Sequence, residues 1–194
     1  MSLGNTVNKE KNGALLAYVA ENVPDINLRK LLKIVYLLDE RFMELRGFPL
    51  TWFEYRAWEK GPVAPEVYAV KQGAFGEYVN CSKNQADKYI ITPVLQHDYL
   101  INKQMEIFSS YEKDIIDNVL SEYKDKSADD LTAITHRQSS LWTRVVAEQR
   151  VQFVDCKSDV RIPLEQLNNG DAEKVATYED AVDYMQFCNA SSSC

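Results

Sequence analysis

The chain has 194 residues, a formal net charge of −7 and 45% hydrophobic residues, enough apolar material to pack a core rather than stay disordered. The acidic balance argues against a general affinity for nucleic acid, which needs Lys and Arg to displace counterions from phosphates. No stretch approaches the roughly 18 consecutive apolar residues of a membrane span, and the N-terminal MSLGNTVNKEKNG lacks a signal-peptide apolar region, so a cytoplasmic location is expected.

Lys9 to Asn22 reads as a first helix, with Asn12, Leu15, Leu16 and Val19 near one face and Pro24 closing the segment. Asp25 or Asn27 can cap the next helix through a side-chain oxygen. That helix, Leu28 to Arg46, carries the strongest signal. Leu28, Leu31, Leu32, Val35, Phe42 and Leu45 form an i, i+3, i+4, i+7 stripe, and Ile34, Leu37, Leu38 and Met43 widen it nearly all the way round. Protein should surround it on most sides, with Lys33 and Asp39 at its remaining wet edges. Gly47 is the natural left-handed stop.

In the stretch FEYRAWEKGPVAPEVYAVK, Phe53, Tyr55 and Ala57 fall on one face, while Trp52, Glu54, Arg56 and Trp58 fall on the other. That period of two predicts a half-buried strand. Gly61-Pro62 is expected to turn the chain sharply. Pro65 fits the first position of a short helix running to about Lys71, with Glu66 in its first turn. Residues 77–88 read as loop with one short strand. Tyr89 to Thr92 reads as an edge strand limited by Pro93 and is expected to form a small sheet with the Phe53 strand.

Ser109 and Glu112 have capping-box spacing ahead of Ile115, Ile116, Val119 and Leu120. Ser127 and Asp130 repeat the pattern, and a third start lies at Ser139 or Ser140. Short connections predict that these three helices form a bundle. Beyond Arg150, VQFVD is β-like, Pro163 opens a short helix that Gly170 ends, and Thr177 and Asp180 cap a last helix before a frayed tail. The fold class expected is mainly α with a small antiparallel β element (α+β), a compact helical domain over residues 9–150 with a C-terminal extension, 151–194, packed on it.

Chemistry-bearing motifs are scarce. There is no G-x-S-x-G, no phosphate-binding glycine loop and no H-E-x-x-H. Cys81, Cys156, Cys188 and Cys194 form no C-x-x-C and stand near neither His, so they read as free thiols. No catalytic residue, metal or cofactor is expected. His97 sits in a polar connector and reads as an exposed loop residue. His136 reads as a helix-end residue whose ring hydrogen-bonds a carbonyl and packs on Trp142. Trp52, Tyr55, Trp58 and Tyr68 are set among balanced charges (Arg56 and Lys60 beside Glu54 and Glu59), which suits a core or a protein interface better than stacking on nucleic-acid bases.

Three blocks in order resemble the SocA-like antitoxin family, also called Panacea, in its phage-associated form. They are Lys30-Leu31-Leu32 with Val35-Tyr36-Leu37; Trp58-x-x-Gly61-Pro62-Val63 with Val67-Tyr68; and LTAITHRQSSLW. The third departs from the family pattern in having Ser139-Ser140-Leu141 where a Ser-Pro pair is common. The resemblance covers roughly residues 14–150. It implies a mostly helical antitoxin that binds and neutralises a toxin protein encoded nearby, in at least one type as an adaptor handing that toxin to an AAA+ protease.

A partner-binding surface is expected at Trp58, Lys60, Gly61, Pro62, Val63 and Tyr68, aromatic anchors rimmed by charge. The overall acidity would suit a basic toxin. A DNA-binding autorepressor using Arg137 to Arg150 as its recognition helix is the alternative, and an enzyme is the least favoured.

Overall fold

The computed structural model describes residues 8–94 and 103–191. In chain order it places α1 (Lys9–Asn22), α2 (Leu28–Arg46), β1 (Tyr55–Trp58), β2 (Gly61–Val63), α3 (Pro65–Tyr68), β3 (Val79–Lys83) and β4 (Tyr89–Pro93). Then come α4 (Ser110–Tyr123), α5 (Ala128–Thr135), α6 (Leu141–Glu148), β5 (Arg161–Ile162) and α7 (Ala172–Ser191). Short 3-10 turns follow α3 at Ala69–Gln72, precede α4 at Met105–Ile107 and follow β5 at Leu164–Asn168. The result is a helical domain with two small antiparallel sheets, the α+β class expected. His97 and Cys194 lie outside the described residues. No helix among the described residues is long and apolar enough to cross a membrane.

Helix α2 is the centre. Asn27 caps it by accepting from the Lys30 N–H at 3.1 Å, and Gly47 ends it at φ +78°. Between these ends Leu31, Ile34, Val35, Tyr36, Leu38 and Met43 have no exposed surface. Burying one such leucine contributes about 1.5–3 kcal/mol, so this helix carries a large share of the core. Its neighbours cover every side: α4, α5, β2 and the 3-10 turn at Leu164–Asn168 all pack on it.

That enclosure overturns one expectation. Lys33 and Asp39 are not at wet edges; they are 1% and 0% exposed. A helix covered all round leaves no edge, so its polar residues must find partners inside. Leu45, placed in the apolar stripe by periodicity, is instead half exposed at 51%, because the last turn has left the core and Glu44 beside it is exposed too.

The β1 alternation is as expected, with Phe53, Tyr55 and Ala57 buried. The turn is not at Gly61-Pro62. Trp58 pairs with Gly61 and Arg56 with Val63, so the loop is Glu59-Lys60, and Gly-Pro-Val is the returning strand β2. A two-residue loop is the tightest antiparallel connection. Gly61 does have φ +104°.

On its other edge β1 pairs with β5, from a hundred residues further on, giving the order β2-β1-β5. The Tyr89 strand therefore does not join β1; both edges there are taken, and β4 pairs with β3 instead. VQFVD makes only an isolated bridge, Val154 to Lys157.

The capping boxes at Ser109/Glu112 and Ser127/Asp130 are both formed, and Ser140 caps α6. The three-helix bundle is not: α4 and α5 pack on α2, whereas α6 packs on β1, β5 and the following 3-10 turn. The apolar face of α6, Leu141 and Val145, is needed to cover the sheet. The last helix starts earlier than its internal caps suggested. Asp171 accepts from the Lys174 N–H at 3.1 Å, and Thr177 instead back-bonds to the Glu173 carbonyl within the helix.

Candidate functional site

Six chain segments meet around a cleft of ≈ 930 Å³. They are the first turns of α2, the β1–β2 hairpin, α3, the β3–β4 loop, the α4–α5 connection and the loop at residues 155–157. Of the six residues expected to bind a partner, Trp58, Lys60, Val63 and Tyr68 line this cleft, while Gly61 and Pro62 are buried beside it. Strand alternation turns Trp58 away from the core; Val63, on β2, is at 5% exposure part of it. Pro65 starts α3 so that Tyr68, one turn later, returns over the hairpin. The Trp58 and Tyr68 rings meet edge to face, centroids 4.7 Å apart, a favoured aromatic geometry. The Trp142 indole N–H donates to the Trp58 carbonyl at 3.0 Å and fixes the strand end.

The charges of the cleft run against those of the chain. Eight basic side chains and five acidic ones line it, an excess of positive charge in a protein of net charge −7. Arg29, Lys30 and Lys33 come from α2, Lys60 from the hairpin, and Lys124 and Lys126 from the connection after α4; Lys88 and Lys157 complete the set. Among the described residues only Arg29 of these has a salt-bridge partner, Asp129 at 2.7 Å, and that pair is too exposed to contribute much. Lys157 lies over the Trp58 ring at 5.1 Å and the Tyr68 ring at 5.7 Å, and Lys71 over Tyr68 at 3.8 Å. These cation–π contacts hold ammonium groups at the rim without neutralising them.

The floor is more unusual. Lys30 and Lys33, 6% and 1% exposed, lie one turn apart on α2. Lys30 Nζ donates to the Lys124 carbonyl at 2.6 Å and the Pro24 carbonyl at 3.1 Å. Lys33 Nζ donates to the Pro62 carbonyl at 3.3 Å. Burial lowers the Lys30 pKa, with Asp125 and Asp25 opposing. Burial, helped by the charge of Arg29, takes the Lys33 pKa down to about 7. Gly61 makes room for this: a Cβ there would collide with Lys33 Nζ and stand 3.0 Å from Thr135 Oγ1.

Sequence reasoning missed both lysines. The available signal was KLLK itself, two lysines at i, i+3 within the leucine-rich first half of the helix.

His136 ends α5 and its ring packs on Trp142, centroids 3.9 Å apart. The expected ring-to-carbonyl hydrogen bond is not found at its buried Nε2, which has no partner; the backbone carbonyl instead accepts from Thr143 Oγ1 at 3.1 Å. Burial and the charge of Lys33 lower its pKa. Cys81, Cys156 and Cys188 form no disulfide among the described residues. Among the described residues no group of three or more His, Cys, Asp or Glu is disposed to hold a metal ion.

No curated protein and no solved structure matches the chain. Residues 31–143 match the family described as antitoxin SocA-like, Panacea domain, a span that holds Lys33, the whole β1–β2 hairpin and Tyr68. With more than half of its length so matched, the chain belongs to the SocA-like (Panacea) antitoxin family.

Proposed function

We propose that this domain neutralises a toxin protein encoded nearby by binding it directly, with the toxin engaging the cleft at Trp58, Lys60, Val63 and Tyr68. The observation that carries this reading is the cleft itself. It joins two aromatic anchors, in edge-to-face contact, to a rim of lysines that form no salt bridge among the described residues. A central aromatic cluster inside a charged rim is the usual anatomy of a protein interface. Gly61 and Pro62 act from beneath, as the backbone on which Lys33 rests.

The autorepressor alternative gains no support. The expected helix from Arg137 to Arg150 spans only Leu141–Glu148, so of Arg137, Arg144 and Arg150 only Arg144 lies on it, and that side chain reaches Gln166 at 3.4 Å.

The test is co-expression of the adjacent gene product with wild type, Lys60→Glu or Tyr68→Ala, each variant first checked by its melting curve. Wild type should restore growth and co-purify with the toxin, and both variants should fail. A neighbouring product that is harmless and unbound removes the basis for the antitoxin reading. Folded variants that neutralise like wild type remove this surface. If neutralisation proceeds by hand-over to an AAA+ protease, the toxin's half-life falls in the presence of wild type; under simple occlusion it does not.

A further inference from the structure

Resting on the antitoxin reading, we infer that the toxin presents an acidic segment to this cleft, its carboxylates answering the positive charge of Lys30, Lys33 and the rim. The expectation of a basic toxin, drawn from net charge, is reversed by where the charge sits.

Three observations converge. Lys30 and Lys33 are both buried and donate only to carbonyl oxygens, with no salt bridge among the described residues; Asp25 and Asp125 partly offset the charge of Lys30, whereas Lys33 has only the like charge of Arg29 acting on it. A buried ammonium without a counter-charge is costly unless something else supplies one. The rim lysines Lys60, Lys88, Lys124, Lys126 and Lys157 likewise have no salt bridge among the described residues. Finally, the apolar patches contributed by Leu28, Leu32, Val63 and Trp58 suit side chains placed between carboxylates.

A peptide fits better than a free phosphate compound. Five aspartates are interleaved with the cations. They would repel a compact polyanion, whereas carboxylates spaced along a chain can pair with the cations singly. A phosphate cradle needs successive backbone N–H groups, and Gly61 is followed by Pro62, which has none. Lys33 also becomes the reader of the partner: a seated carboxylate favours its charged form, so binding takes up a proton.

The probe is a fluorescein-labelled hexaglutamate peptide followed by fluorescence anisotropy, with hexalysine as control and pyrophosphate and ATP as competitors. Wild type should bind hexaglutamate and not hexalysine, and should bind less as salt rises. Affinity should fall about tenfold or more in Lys33→Met and in the double variant Lys126→Glu/Lys157→Glu. The second variant changes only rim positions and decides the matter if the first does not fold. Equal binding of both peptides, or both folded variants binding like wild type, overturns the inference. So does displacement by pyrophosphate or ATP at far lower concentration than unlabelled hexaglutamate, which would make the ligand a free phosphate compound. In the growth assay, wild type failing to neutralise the neighbouring product removes the antitoxin reading. Neutralisation by wild type and equally by Lys126→Glu/Lys157→Glu keeps that reading and removes only the acidic segment.

Discussion

Helix α2 buries charge at two places, and they are built differently. Near its middle, Asp39 accepts from the Thr51 N–H at 2.9 Å, from the Tyr55 hydroxyl at 2.8 Å and from Thr51 Oγ1. Glu40 beside it takes the Tyr36 hydroxyl and Arg137, both at 3.4 Å. Two turns earlier, Lys33 has one carbonyl at 3.3 Å. Burial pushes the Asp39 carboxyl up to about 6 even against the donors of Thr51 and Tyr55 and takes Lys33 down to about 7. The first site is closed on itself and ties the segment after α2 to the helix. The second lies under an open cleft and lacks a counter-charge. Equal burial therefore has opposite meanings: a saturated site holds the fold, and an unsaturated one awaits a partner.

Removing each charge should have opposite effects on stability. Asp39→Leu should cost about 2–5 kcal/mol, since the donors left behind lose their acceptor at about 1–3 kcal/mol each. The denaturant midpoint reads it, and a midpoint within experimental error of wild type would mean that the network is incidental. Lys33→Met should have the opposite sign. Replacing a buried, poorly paired charge with an apolar side chain of similar length is expected to be neutral or stabilising by about 1–4 kcal/mol, while toxin neutralisation falls. If Lys33→Met destabilised as much as Asp39→Leu, Lys33 would be a structural residue and the contrast would fail.

A smaller effect sits at Gly61, where hairpin and lysine meet. At φ +104° a side chain is strained, and here it would also press on Lys33. Gly61→Ala should cost about 1–3 kcal/mol. Combined with Lys33→Met the cost should shrink, because the colliding ammonium is gone; strict additivity in that double-mutant cycle would show that the two do not couple.

What was legible in the sequence was local. The bounds of α1 and α2, the Asn27 cap and the two capping boxes follow from periodicity and from side chains that bond within three residues. The alternation of β1 was legible for the same reason. What was hidden depended on distant chain. β5 fills the edge of β1 from residue 161, so no local pattern could say that β4 must pair elsewhere. The burial of Lys33 and Asp39 follows from α4, α5 and β2 closing over α2 together. Trp58 and Tyr68 could be picked out as anchors because hairpin and helix are consecutive. The cations at residues 124–126 and 155–157 could not, because only the fold brings them to the same cleft.

The least dramatic prediction isolates the lysine by pH. Lys33 falls from an ordinary 10.5 to about 7 in the folded protein, so between those values the unfolded chain binds more protons than the folded one. Stability then rises with pH across that window: the Lys33 contribution is fully present above 10.5 and lost as pH falls through about 7. Asp39 runs the other way. Its carboxyl is raised from 3.8 to about 6, so its contribution is fully present below 3.8 and lost as pH rises through about 6. Other carboxylates and His136 titrate in the same experiment, so the useful quantity is the stability of Lys33→Met minus that of wild type at each pH. That difference should be flat below about 7 and shrink on the way to 10.5, with a slope of at most about 1.4 kcal/mol per pH unit. A difference flat across the whole range would mean that Lys33 keeps its ordinary pKa and its ammonium is well solvated or paired. With the acidic peptide bound, the fall should begin at higher pH, because the seated carboxylate holds the proton on Lys33.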